Sequence, residues 1–273
     1  MKSILDGLGL SYTQPSEAKY FIESHSLQIN VNDYYKDSDA FIEPKTQYQE
    51  MLKNLKSGIG TTTLNFYSGE IDNNRQLVTS MIASRVGKSQ EKIYARQCEI
   101  VELPAKVART FCEQYHLSGS ANAKYYIGLG YKGRLVSVMS FGIPRFSKKY
   151  NYELIRFCSV TNTNVIGGAS KLFNYFVKTY MNPGESITTY ANRRFSEGNM
   201  YRKLGFNDIS TSYPNYFYIK ENGTPKMRYD CQKHKLHKFL DIFDVNKTEY
   251  ENMSANGYYR QYDCGNYVFE YTK

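Results

Sequence analysis

From residue 17 to residue 41 short apolar runs alternate with polar residues. Tyr20-Phe21-Ile22 and Leu27-Gln28-Ile29-Asn30-Val31 predict two strands, with a turn near Glu23–Ser26. Pro44 opens a predicted helix that places Tyr48, Met51, Leu52 and Leu55 on one face, and Lys56-Ser57-Gly58 ends it. Thr62 to Tyr67 is a β-rich run. Leu77, Val78, Met81 and Ile82 then repeat at helical spacing up to Gly87. The order β-β-α-β-α describes a small α/β unit.

A second unit begins near Ala95. Glu99 to Glu102 predicts a short strand. Pro104 starts a helix carrying Val107, Phe111 and Tyr115. Tyr125–Tyr131 and Leu135–Phe141 predict a hairpin closed at Lys132-Gly133. Tyr152–Val160 and Ser186–Tyr190 read as further strands. Between them a helix follows Gly167-Gly168-Ala169-Ser170, with Leu172, Phe173, Phe176 and Val177 on one face. Met200 to Leu204 reads as a short helix ending at Gly205. A hairpin is expected around Asn222-Gly223, joining Tyr216–Ile219 to Lys226–Tyr229. Beyond it lie a basic helix, Lys233–Phe243, and an aromatic strand pair around Asp263-Cys264-Gly265-Asn266. The expected division is 1–94, 95–230 and a tail, 231–273, that packs on the second unit.

Composition sharpens this picture. A length of 273 residues suits two small domains, and 41% hydrophobic with 22% charged residues excludes wholesale disorder. Trp is absent, while 27 Tyr and 15 Phe supply half-buried strand residues or a surface on which bases stack. The net charge of +9 is unevenly placed. Residues 1–95 hold 10 Lys+Arg against 11 Asp+Glu, and the remaining 178 hold 25 against 15. That asymmetry points to a polyanion such as nucleic acid, or to a plain basic solvated surface. Cys98, Cys112, Cys158, Cys231 and Cys264 form no C-x-x-C pair, which argues against a zinc ribbon or a disulfide framework. Asp6 interrupts the N-terminus before any long apolar run, so neither a signal peptide nor a membrane span is expected. The expected location is the cytoplasm of a host cell.

The candidate chemistry begins at Gly167, Gly168, Ala169, Ser170 and Lys171, a turn that follows a strand and opens a helix. Such a turn lets backbone N–H groups and the helix N-terminus approach a phosphate. A tight structural turn has the same sequence. Some 30 residues on, Tyr201-Arg202-Lys203-Leu204-Gly205-Phe206 follows a strand. The two segments together resemble the signatures of the GNAT acetyltransferase superfamily. That resemblance implies an acetyl-CoA pyrophosphate on the glycine turn and, in Tyr201–Phe206, a segment that supports a splayed strand beside the thioester, with Tyr201 among the coenzyme-binding residues. Asn164 stands where that signature has Arg or Gln. The domain also resembles the Mom-type DNA-modification branch of the fold.

A longer resemblance runs from Ala95 to the C-terminus. Tyr115-His116-Leu117-Ser118-Gly119, Leu135–Phe146, Glu153–Ser159, Gly167–Phe176, Tyr190–Ser196 and Gln232-Lys233-His234-Lys235-Leu236 are similar to phage-encoded, Hef-like homing endonucleases. The family implies a Vsr-like, restriction-endonuclease-like nuclease domain in front, and residues 17–71 have its outline. Such a nuclease holds a divalent metal on a carboxylate from each of two strands, with a histidine for proton transfer. The resemblance puts Lys19 and Asn30 at the carboxylate positions, and Asp37 and Gln49 at histidine positions. It therefore implies no metal site and no nuclease chemistry. Asp33, Asp37 and Asp39 read as a solvated acidic loop, and His25 as an exposed turn residue.

Basic residues interleaved with aromatics supply candidate DNA contacts. These are Arg145, Lys148 and Lys149 in one loop, Arg156 on a strand, Arg193, Arg194, Arg202 and Lys203 around the Tyr201 segment, and Lys233, His234 and Lys235 on the tail helix. Three functions follow. The first is a DNA-binding relative of Hef-like homing endonucleases with an inactive nuclease unit. The second is a Mom-like acyl-CoA-dependent N-acyltransferase acting on DNA bases. The third is a non-enzymatic protein that engages a host factor. DNA or RNA is the expected partner, and acetyl-CoA is the coenzyme of the second reading.

Overall fold

The computed structural model describes residues 1–33, 61–220 and 225–273. The first unit comprises α1 (Lys2–Gly7), β1 (Thr13–Ser16), β2 (Lys19–Ile22), β3 (Leu27–Asn32), β4 (Thr62–Tyr67), α2 (Ser68–Asn73) and α3 (Arg75–Arg85). Its sheet runs β1-β2-β3-β4, antiparallel except for the parallel pair β3–β4. Ser26, in the left-handed conformation, turns β2 into β3. Ile22, Leu27, Ile29, Leu64 and Phe66 then share a core with Val78 and Ile82 of α3. The helix expected from Pro44 lies outside the described residues, as do Asp37, Asp39 and Gln49.

Two short strands follow, β5 (Glu91–Tyr94) and β6 (Glu99–Glu102), and then α4 (Ala105–Tyr115). Next come β7 (Tyr125–Tyr131), β8 (Arg134–Gly142), β9 (Tyr152–Ser159), β10 (Thr163–Ile166) and α5 (Gly168–Tyr180). After these are β11 (Ser186–Asn192), α6 (Asn199–Lys203), β12 (Asn207–Thr211), β13 (Tyr216–Ile219), β14 (Lys226–Met227), α7 (Lys233–Leu236), α8 (Glu249–Ala255), β15 (Tyr259–Tyr262) and β16 (Asn266–Thr272). Seven strands make the main sheet in the order β12-β16-β11-β9-β8-β7-β6. Lys132 and Gly133 both have positive φ and close the β7–β8 hairpin as expected.

Helices cover the main sheet. Leu172, Phe173, Phe176 and Val177 of α5 bury against Met139, Phe141, Leu154 and Ile187. Ala108, Phe111 and Cys112 of α4 bury against Tyr126, Val138 and Cys158. Met139 and Val138 alternate along β8, so the two helices lie on opposite faces. Val107, expected on the packed face of α4, is 47% exposed instead. All five cysteines are free and buried.

The tail departs from its expected form in three ways. The basic helix stops at Leu236, well short of Phe243. Beyond it, Asn252 and Asn256 side chains bond the backbone groups of Ile242 and Asp244, holding that stretch as a loop. The two aromatic strands do not pair with each other. Asp263 Oδ1 accepts from the N–H groups of Asn215 (2.7 Å) and Gly265 (2.8 Å), and Gly265 turns at φ +70°. The chain thereby leaves one sheet for another: β15 pairs with β13, whereas β16 pairs with β11 and β12 inside the main sheet. The segment 231–273 is thus part of the main architecture.

The first unit docks on the second through polar groups. Arg194 Nη1 and Nη2 donate to the two Glu70 oxygens at 2.8 and 2.9 Å, and both side chains are largely buried. Tyr67 Oη donates to the Tyr262 carbonyl at 2.8 Å, and the Phe66 and Phe195 rings meet at 5.2 Å. Ser80 Oγ of α3 accepts from Asn162 N–H at 2.8 Å.

Candidate active site

The parallel pair β9–β11 is joined only at Tyr152–Leu154 and Ile187–Thr189. Both strands continue, but the ladder does not. The cause is a bulge in β9: Ser140 faces Arg156 and Phe141 faces Leu154, which leaves Ile155 extra. Thr189 Oγ1, donating to the Leu154 carbonyl at 3.0 Å, marks the last tie. Past it a cavity of about 960 Å³ opens. That size is at the upper end for a small-molecule site.

Its walls carry four arginines, Arg85, Arg145, Arg156 and Arg228, and one carboxylate, Glu153. Glu153 is fully buried and clamped by Arg145, through the backbone N–H at 2.8 Å and Nε at 3.0 Å. Arg156 donates through Nε to the Gly119 carbonyl at 3.0 Å and through Nη1 to the Ile155 carbonyl at 3.1 Å. Its charge is fixed beside the bulge with no carboxylate partner among the described residues. The cavity is therefore electropositive.

Two further wall residues have defined protonation. His116 Nδ1 accepts from Ser118 N–H at 3.1 Å, so the neutral ring carries its proton on Nε2. Burial and the neighbouring Arg156 charge push its pKa down to about 3. Tyr201 packs with its ring centroid 5.2 Å from that of Phe269 and 5.9 Å from that of Phe206. Burial raises its phenol pKa, opposed by the Thr189 hydroxyl and by Arg156. Tyr201 is a protonated phenol at neutral pH, held by α6, whose start at Gly198 (φ +82°) leaves no room for a Cβ against Phe269.

The glycine turn lies outside the cavity walls, although β9 and β10 lead from one to the other. Gly167 is exposed at φ +79°, and no side chain caps α5. Gly168 is buried, and a Cβ there would meet Val165 at 3.0 Å. Ser170 is exposed and Ala169 half-buried. Lys171 is turned away from any ligand: its Nζ donates to the Ala95 and Cys98 carbonyls. It braces the segment ahead of β6. A short strand, β5, pairs in parallel with β10 beside the turn, which no periodicity announced.

Of the basic residues expected on the surface, several are structural. Arg194 is buried in the Glu70 pair and is not available to DNA. Arg202 is paired with Asp208, Lys149 with Glu270, and Arg193 donates to the Cys264 carbonyl beneath the Tyr267 ring. Lys235 donates to the Tyr229 carbonyl. Lys148, Lys203, Lys233 and His234 are exposed. The structure brings Arg145, Arg156 and Tyr201 together in one cavity. It adds His116, Glu153 and Tyr190, all three of which the sequence marked only as parts of longer matching strings.

In the first unit Lys19 and Asn30 stand opposite each other on β2 and β3. Asn30 is buried and donates to Asn65 Oδ1 at 2.8 Å. Among the described residues no cluster of three His, Cys, Asp or Glu is placed to hold a metal. No helix among them is long and apolar enough to cross a membrane.

The fold and the cleft together define a mixed α/β protein with an electropositive opening between two parallel strands. No family model and no curated protein matches the chain. A solved structure described as histone acetyltransferase HPA2 and related acetyltransferase from Corynebacterium glutamicum is partially similar, at 19% identity and a TM-score of 0.28. The match covers 38% of this chain and 61% of that one, so the chain spans about three fifths of its length.

Proposed function

We propose that the chain is an acyl-CoA-dependent N-acyltransferase of the GNAT type that acts on the bases of DNA. The observation that carries this reading is the opening of the parallel pair β9–β11 at the Ile155 bulge, with a cavity of about 960 Å³ and Tyr201 in its wall. Acetyl-CoA suits the residues present in two respects. The exposed Gly167 turn and uncapped α5 offer backbone N–H groups to phosphate, and the cavity reached from that turn along β9 and β10 has arginines on its walls for the anionic remainder. When bound, the coenzyme supplies an activated acyl group.

The chain's own residues do the rest. Tyr201, with its raised pKa, retains a proton that its Oη can give to a leaving group. His116 presents Nε2–H as a fixed donor for an acceptor atom of the substrate. Glu153, held by Arg145, orients the loop that forms the outer wall. The excess positive charge of residues 96–273 favours a polyanionic acceptor.

A second reading keeps DNA binding without transfer, in a relative of Hef-like homing endonucleases. What supports it is the excess positive charge of residues 96–273, with Lys148, Lys203, Lys233 and His234 exposed. One pair of measurements separates the two. Calorimetry with acetyl-CoA is expected to give saturable heat. Mass spectrometry of DNA incubated with labelled acetyl-CoA is expected to show a modified base, lost in Tyr201→Phe while coenzyme heat persists. Salt-dependent DNA binding with no coenzyme heat would move the assignment to the second reading.

A further inference from the structure

The mouth of the cavity has a feature that coenzyme binding does not require. Phe146 and Tyr213 line it, yet their side chains are 74% and 91% exposed. They come from different loops: Phe146 from the β8–β9 connection and Tyr213 from the β12–β13 connection. Ile209, also in the wall, is 40% exposed. A single exposed aromatic is ordinary. Two exposed rings from separate loops in the wall of one opening, Phe146 also set edge-on to Tyr190 at 5.6 Å, are an apolar surface kept at a cost in solubility.

Exposed cations flank these rings, while the carboxylate of the wall, Glu153, is buried against Arg145. Arg145 lies with its guanidinium carbon 5.6 Å from the Phe146 ring centroid. Arg228 is exposed in the cavity wall, and Lys148 is exposed two residues beyond Phe146. Among the described residues neither Arg228 nor Lys148 has a carboxylate partner. Flat apolar faces with flanking cations are complementary to stacked bases on a phosphate backbone. They are not complementary to a closed duplex, whose base faces are already covered.

We propose that the rim formed by Phe146, Tyr213 and Ile209 binds single-stranded DNA and stacks an unpaired base at the cavity mouth. This rests on the reading of nucleic acid as the acceptor at the same cleft. The substrate would then be an unpaired base, presented edge-on to the cavity.

The test is fluorescence anisotropy of the full chain with a labelled oligothymidylate and with a matched duplex, over a range of salt. The single strand is expected to bind more tightly. Phe146→Ala and Tyr213→Ala are each expected to weaken it by about 5- to 150-fold, the value of a base–aromatic stack. Phe146→Tyr and Tyr213→Phe, which keep a ring, are expected to retain binding. Lys148→Ala is expected to weaken strand and duplex alike and to reduce the salt slope. Unchanged binding in both alanine variants overturns the proposal, as does equal affinity for the duplex. Binding to neither nucleic acid also overturns it. Acetyl-CoA heat is measured separately, so loss of the stacking result and loss of the coenzyme result are distinguishable.

Discussion

Single residues decide how the charge of this chain is used. Arg194 reads in the sequence as one more surface cation of the Arg193-Arg194-Phe195 cluster, but its guanidinium is buried and paired through Nη1 and Nη2 with Glu70 across the two units. Removing one member of a buried pair leaves the other charged and without water, at a cost of about 3–5 kcal/mol. Glu70→Gln is therefore expected to lower stability by about that amount in urea titrations. The double change Glu70→Leu with Arg194→Met, which buries no charge, is expected to recover much of the loss. His116 gives a pH signature. Its folded pKa of about 3 lies below the ordinary histidine value, so the unfolded chain takes up the proton first as pH falls. Its contribution is fully present above about pH 6.5 and is lost progressively toward about pH 3. Urea midpoints for the parent and for His116→Gln are expected to diverge less at about pH 4.5 than at neutral pH. An unchanged gap between the two proteins would mean that the ring is solvated. Neither property is visible in sequence: a composition counts cations, and only the fold assigns each a partner.

At the scale of elements, what could be read in advance was whatever is settled between neighbours in the chain. The β7–β8 hairpin needs positive φ at Lys132 and Gly133, and the sequence supplies the glycine there. α5 announces itself because Leu172, Phe173, Phe176 and Val177 repeat at helical spacing and all find the same core. The strands that escaped notice owe their existence to distant partners. β5 and β10 are four residues each and are strands only because each pairs with the other, some 70 residues away. β12 is exposed along its whole length, so no alternation marks it, and it forms on β16. The aromatic run at the C-terminus was legible as strand, but its partners were not, because Asp263 and Gly265 redirect the chain between sheets. The candidate site divides in the same way. Tyr201 and the glycine turn stand in recognisable strings, whereas the cleft arises from the Ile155 bulge, a mismatch between two strands that neither strand shows alone. The rim residues Phe146 and Tyr213 lie in loops, where apolar periodicity has no meaning.

On the scale of the whole molecule, the C-terminal segment is a structural strut. β16 pairs along its full length with β11, from Ser186↔Thr272 to Asn192↔Asn266, and on its other edge with β12. Its Phe269 is fully buried, packs against Tyr201 and fills the space that a side chain at Gly198 would need. Lys273 contributes as well: its Nζ donates to the carbonyls of Val177 and Met181 at 2.9 and 2.6 Å, satisfying the end of α5. The main sheet is therefore completed by a strand far along the chain from the strands it joins. A chain ending at Tyr262 would lack an interior strand, leave one edge of β11 unpaired beside a buried core, and strand β12 with no sheet to join. Such a loss is not local, because the strand that goes missing also supports α6 and the Tyr201 wall of the cleft. The shortened chain is expected to lack a cooperative urea transition and near-ultraviolet dichroism, with residual secondary structure in the far ultraviolet. A cooperative transition close to that of the full chain would mean that the segment is an appendage after all, and that the cleft is built without it.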